Sequence, residues 1–192
     1  MATALAASLH NPALTHCLAS IARHNGADDW IARHAPDVVW HESDQVLRAS
    51  EAGTLWPFRV ALFNAHLLYV GPERLRYVVQ EGLGAYDLVP VPLTTAFDVL
   101  DGLCRETSKQ IEAKHYRLVG VSAGPAAKIL IDRLARRHPG VSFIDFGSVW
   151  DMYAGTPTRS GAKRMTPEQV AGLAWKNFHW QWPTRTASRR GR

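Results

Sequence analysis

Apolar residues in this chain come in short bursts that alternate between two periods. Residues 65–70 (AHLLYV), 86–91 (YDLVPV), 118–121 (LVGV) and 141–146 (VSFIDF) are too short for helices. They are partly β-branched and bounded by glycine or proline, so they predict strands, most of them buried. Between them, apolar positions recur at helical spacing and predict helices over 73–80, 96–112 and 126–137. In the last of these, Ile129, Ile131, Leu134 and Ala135 mark the inner face. Arg133, Arg136 and Arg137 crowd its end, where the helix dipole favours cations, and Pro139-Gly140 stops it. Strands separated by helices imply an α/β fold: a Rossmann-like, mainly parallel sheet with helices on both faces.

Upstream of the first strand the pattern is helical. Residues 1–35 predict two short helices, split at Asn11-Pro12 and Asn25-Gly26. A short apolar segment at 37–40 leads to His41-Glu42-Ser43-Asp44, where Ser43 or Asp44 is expected to cap a helix running through Val46 and Leu47 and closed by Gly53. A half-buried helix over 55–63, with Trp56 and Phe58 turned inward, completes this part. Asp98 and Asp101, one helical turn apart, read as solvated acids on a shared face. Apolar periodicity fades near Gly155-Thr156-Pro157, dividing the chain into a Rossmann-like domain, 1–155, and a basic, Trp-containing extension, 156–192. A helix over 165–175 opens the extension, with Thr166 as cap and Pro167 in the first turn.

The candidate chemistry lies in the turns. Strand 118–121 runs into Ser122-Ala123-Gly124-Pro125 and then a helix. Gly124 can take backbone angles closed to other residues, and Pro125 suits a helical first turn. Backbone N–H groups there, with the helix dipole behind them, can stabilise phosphate charge without a side chain. Strand 141–146 ends on the same edge of a right-handed βαβ unit, at Asp145-Phe146-Gly147-Ser148, with Asp151 close behind. Gly71-Pro72 repeats the Gly-Pro turn after the first strand. Ligands of open α/β sheets bind at that edge. A strand-end Asp145 is equally suited to hydrogen-bonding the next turn.

The pattern apolar-Ser-Ala-Gly-Pro-Ala-Ala, a helix, and then Ile-Asp-Phe-Gly-Ser-x-x-Asp-x-Tyr resembles the C-terminal half of GT-D-type glycosyltransferases. These are small bacterial enzymes that use nucleotide sugars and have a Rossmann-like sheet. The resemblance covers residues 58–153. It implies transfer of a sugar from a nucleotide-sugar donor to an acceptor hydroxyl. Ser122, Gly124, Pro125, Gly147, Ser148 and Gly71 are then expected at the donor, with Asp145 and Asp151 as catalytic carboxylates. It further implies a divalent metal, Mn or Mg, with Asp145 and Glu42 as its candidate ligands. Members carry an acid-x-acid motif after a glycine on an early strand. The nearest counterpart, Gly26-Ala27-Asp28-Asp29-Trp30, departs from that pattern. The departure supports a second class, a non-catalytic nucleotide- or nucleic-acid-binding module.

Charge changes the picture only at the C-terminus. Of a net +5, residues 156–192 hold eight Lys or Arg against one acid, so the rest of the chain is slightly acidic. Trp175, Phe178, Trp180 and Trp182 are interleaved with Lys176 and His179, ahead of Arg185, Arg189, Arg190 and Arg192. Stacking faces mixed with cations suit nucleic acid, so Lys176, Arg185, Arg189 and Arg190 are candidate contacts to DNA or RNA, and a modified nucleic-acid base is one expected acceptor. The competing expectation docks the Trp residues on the core and leaves the terminal arginines free. Two cysteines exclude a disulfide framework and a four-cysteine zinc site. No apolar run approaches the roughly 20 residues of a membrane span, and the N-terminus lacks a basic start, so a cytoplasmic protein is expected.

Overall fold

The computed structural model describes residues 2–156 and 164–178. Along the chain, α1 (Ala2–Ser8), β1 (His16–Leu18), α2 (Ser20–His24), α3 (Ala27–His34), β2 (Trp40–Glu42), α4 (Gln45–Ala52) and α5 (Trp56–Phe63) precede β3 (Leu67–Gly71). Then come β4 (Asp87–Pro90), α6 (Leu100–Lys114), β5 (Leu118–Val121), α7 (Ala126–Arg137), β6 (Ser142–Asp145) and α8 (Pro167–Phe178). The main sheet is parallel throughout, in the order β4-β3-β5-β6. The fold is α/β and Rossmann-like.

β3 is central and wholly buried, and accordingly its sequence is a continuous apolar run rather than an alternating one. Strand periodicity divides it between two cores. Leu67 and Tyr69 face a cluster with Leu62, Trp150, Tyr153 and Phe178, under α4, α5 and α8. Leu68 and Val70 face the other, with Leu103, Ile111, Ile129 and Leu134 from α6 and α7. Helices therefore cover both faces. Among the described residues no helix is long and apolar enough to cross a membrane.

Several elements depart from the sequence pattern. The described residues up to 35 hold three helices, and a strand after the first of them: β1 pairs in parallel with β2, His16 opposite Trp40, forming a separate two-stranded sheet. A three-residue, half-exposed strand carries no periodicity to read. Asp44 stands at the N-cap position of α4 but does not cap it. Its carboxylate accepts instead from the Ser20 backbone N–H, 3.0 Å away. The helix expected over 73–80 is a 3-10 turn, Glu73–Leu75, followed by a wide π segment, Val78–Gly82, which closes with Ala85 N–H on the Val79 carbonyl at 2.9 Å. α6 begins only at Leu100. Asp98 lies in the preceding turn, and Asp101 is paired with Arg133 at 2.6 Å, so the two do not share a helical face.

The cap of α8 is as the sequence implies, and is reciprocal. Thr166 Oγ1 accepts from Gln169 N–H at 3.3 Å, while Gln169 Oε1 accepts from Thr166 N–H at 2.8 Å. The docking residues differ, however. Trp175 is 55% exposed, whereas Ala174, Asn177 and Phe178 are buried. Asn177 bridges the core: its amide donates to the Ser50 carbonyl and the Tyr153 hydroxyl, and its oxygen accepts from Leu55 N–H. Trp180 and Trp182 lie outside the described residues.

Candidate functional site

The chain forms β3, steps outward to β4, then crosses back to place β5 on the other side of β3. Crossovers leave in opposite directions from that pair, which opens a crevice at the carboxyl ends of β3 and β5. Here four of the expected donor residues come together, Gly71, Ser122, Gly124 and Pro125. Ser122 N–H donates to the Val70 carbonyl at 2.8 Å, and a Cβ built on Gly71 would lie 3.5 Å from that of Ser122. Gly124 has φ +57, the left-handed region, and Pro125 leads into α7. The first turn of α7 carries no acid and no side-chain cap. A side chain at Gly124 would meet nothing within 4 Å, so this glycine answers to backbone angle and leaves open space above the turn.

Gly71 has a different reason. A Cβ there would lie 2.6 Å from Tyr69 Cε1, and one on Gly120 would lie 3.0 Å from Tyr69 Cδ2 and 2.7 Å from Phe146 Cε2. The two glycines let the Tyr69 ring lie flat along the sheet, stacked on Phe146 at 6.1 Å. Its hydroxyl then reaches Ser122 Oγ at 2.6 Å, both groups buried. Burial raises the Tyr69 hydroxyl well above its ordinary range; the Ser122 bond opposes this, and the negative charges of Asp151 and Asp145 reinforce it. Gly120-Val121-Ser122-Ala123-Gly124 has the spacing of a nucleophile elbow. Ser122, however, lacks the positive φ of that turn, and its hydroxyl is held by a tyrosine rather than a histidine.

One strand over, Asp145 ends β6. Its Oδ1 accepts from Gly147 N–H at 2.9 Å, the turn-capping role open to a strand-end aspartate, and its Oδ2 is 2.5 Å from Lys128 Nζ on the first turn of α7. Asp151 is buried and paired with Arg74 at 3.0 Å, in the 3-10 turn after β3. Gly147, with φ +55, and Ser148 link the two carboxylates. The sequence pattern does not single out Tyr69, Arg74 or Lys128 as site residues. A signal was present: each Gly-Pro turn is followed within three residues by a cation, Arg74 after Gly71-Pro72 and Lys128 after Gly124-Pro125.

Other candidates lie elsewhere. Glu42 ends β2 of the smaller sheet, paired with Arg48 and accepting from Ser20 Oγ and Gln45 Nε2, each at 3.1 Å. Asp28 and Asp29 fall in the first turn of α3, not on a strand, and Asp28 pairs with Arg23 at 2.7 Å. Lys176 lies on the exposed side of α8, its stem over Gly53. Arg185, Arg189 and Arg190 lie outside the described residues.

The two metal-ligand candidates, Asp145 and Glu42, lie on different sheets. Both Asp145 oxygens are engaged by Lys128 and Gly147, Asp151 is held by Arg74, and among the described residues no three His, Cys, Asp or Glu side chains are grouped to share a cation. What the edge offers is a left-handed turn, an uncapped helix start and two cations, each already held in place by a carboxylate. The chain matches no family model, no curated protein and no solved structure.

Proposed function

We propose that this protein binds the diphosphate of a nucleotide sugar over the Gly124-Pro125 turn and transfers the sugar to an acceptor hydroxyl. The observation that carries the reading is the coincidence of the β3/β5 reversal with a left-handed Gly124 under open space at the start of α7. Backbone N–H groups at the start of the helix and the positive end of the dipole favour a bound phosphate there. Lys128 sits on the same turn, and its ammonium, shared with Asp145, is a side-chain charge for the leaving diphosphate. Asp145 is the carboxylate suited to accept the acceptor's proton, since Asp151 is buried against Arg74. The resemblance to GT-D-type enzymes supports sugar transfer over other uses of such a crevice.

A second reading, nucleotide binding without turnover, is favoured by one observation: both edge carboxylates are already neutralised by the chain's own cations. Calorimetry with a panel of nucleotide sugars and the corresponding nucleoside diphosphates, followed by assay of sugar release, separates the two. Binding that Gly124→Val and Lys128→Gln each weaken, with turnover lost in Asp145→Asn, is the expected result. Binding without sugar release selects the module. If no nucleotide binds, both readings fail. The acceptor proposed is a nucleic-acid base hydroxyl, because the basic extension gives a polyanion a reason to bind.

A further inference from the structure

A cationic groove lies away from the sheet edge. α6 and α7 pack side by side, and between them is a cavity of about 290 Å³. This is near the small end of ligand pockets, which run from roughly 300 Å³ upward, so it suits a small solute. Its floor is Leu134 and the buried Ser108, whose hydroxyl is 2.9 Å from His138 Nε2, with the half-buried Cys104 beside them. Its walls are cationic: Arg105 from α6 faces Arg133 and Arg137 from α7, four residues apart and therefore on one side of their helix.

Charge balance is what sets this groove apart. Three guanidinium groups line it against one carboxylate, Asp101, which is paired with Arg133. Arg137 has Glu112 at 3.9 Å, too far for a good hydrogen bond, and among the described residues no acid is paired with Arg105. Like charges converging on one concavity repel one another unless an anion neutralises them. Planar guanidinium groups present donors in a fork that matches phosphate oxygens in pairs.

We infer that the groove between α6 and α7 binds a phosphate group, as inorganic phosphate or as the monoester of a small metabolite, held by Arg105, Arg133 and Arg137. Nothing in this inference depends on the nucleotide reading, since the groove shares no residue with the Gly124 turn. Cys104 gives a local reporter. A ligand between the arginines covers its thiol, while Cys17 is exposed elsewhere and is removed by Cys17→Ser.

The experiment measures alkylation of Cys104 by a neutral reagent in the Cys17→Ser protein, at fixed ionic strength. Chloride, inorganic phosphate and glycerol phosphate are compared. With a Kd near 1 mM, about 10 mM ligand leaves roughly a tenth of the sites open and slows alkylation about tenfold. Arg105→Gln/Arg137→Gln, both exposed positions, should abolish the protection, and Gly124→Val should keep it. Stronger protection by glycerol phosphate identifies a monoester, and stronger protection by phosphate identifies the free ion. Equal alkylation in chloride and both phosphates, or protection that survives the double substitution, overturns the site.

Discussion

Tyr69 and Ser122, fifty-three residues apart in sequence, share a buried hydrogen bond of 2.6 Å between their hydroxyls at the carboxyl edge of the sheet. The bond exists because Tyr69 lies flat over two glycines, Gly71 on its own strand and Gly120 on the next. It ties the end of β5, where the Gly124 turn begins, to the centre of the core.

Tyr69→Phe keeps the ring and deletes the hydroxyl, leaving Ser122 Oγ buried without that partner. The expected loss is about 1–2 kcal/mol in urea unfolding, with the m-value unchanged. Gly120→Ala forces a Cβ against the Phe146 and Tyr69 rings and should cost about 1–3 kcal/mol. A neutral Gly120→Ala would mean that the rings do not lie where described.

Arg74→Ala strips the buried Asp151 of its guanidinium. A loss of about 3 kcal/mol is expected, the lower end for a buried pair, because water reaches Arg74. Adding Asp151→Asn to that variant should recover part of the loss, giving a positive coupling in the double-mutant cycle. Additive effects would show that the two groups act independently.

Asn177 satisfies three buried groups at once: the Leu55 N–H, the Ser50 carbonyl and the Tyr153 hydroxyl. Burial pushes that hydroxyl up to about 12, so it stays protonated at any ordinary pH. Asn177→Leu leaves the buried Leu55 N–H without its acceptor, while the Ser50 carbonyl keeps Gly53 N–H and the Tyr153 hydroxyl keeps Ser50 Oγ, so a loss of about 1–3 kcal/mol is expected. It should also expose the helix α8 amides to hydrogen exchange before the strands of the main sheet open.

His138 supplies a pH dependence. Burial lowers its pKa below the ordinary 6.5, with Arg137 adding to the shift and Glu112 opposing it. The unfolded chain therefore binds the proton first, and stability falls as pH drops from about 6.5 through the lower folded value. His138→Gln removes the titrating group and leaves a polar side chain facing Ser108. The melting temperature of the variant should vary less between pH 7 and 5 than that of the parent. Identical slopes would contradict a His138 whose pKa is lowered by folding.

The basic extension predicts a salt-dependent interaction. Removing residues 183–192 deletes four arginines and leaves the sheet and α8 intact. Nucleotide binding should be unchanged, while affinity for DNA or RNA falls several-fold and its dependence on salt flattens, because fewer counterions are released. Anisotropy titrations at several salt concentrations measure both. If neither form binds polynucleotide at low salt, the acceptor is not a nucleic acid.

The sequence by itself determined the layered architecture. Leu67–Gly71, Leu118–Val121 and Ala126–Arg137 are legible because their apolar periods are short-range and glycine and proline bound them. The Thr166 cap and the Gly124 turn are local for the same reason: a few consecutive residues set the backbone. What only the tertiary structure decided is everything that depends on residues distant in the chain. β1 is a strand because Trp40–Glu42 pairs with it. Gly71 and Gly120 are glycines because one tyrosine ring covers both, and Asp44 turns from its own helix to Ser20. The strand order β4-β3-β5-β6 brings Tyr69, Ser122 and the Gly124 turn to one reversal point, and the turns around it pair Arg74 with Asp151 and Lys128 with Asp145. No local pattern encodes those pairs, since each joins side chains whose spacing in sequence carries no period. They follow from hydrogen-bond and charge satisfaction once the sheet has closed its crevice.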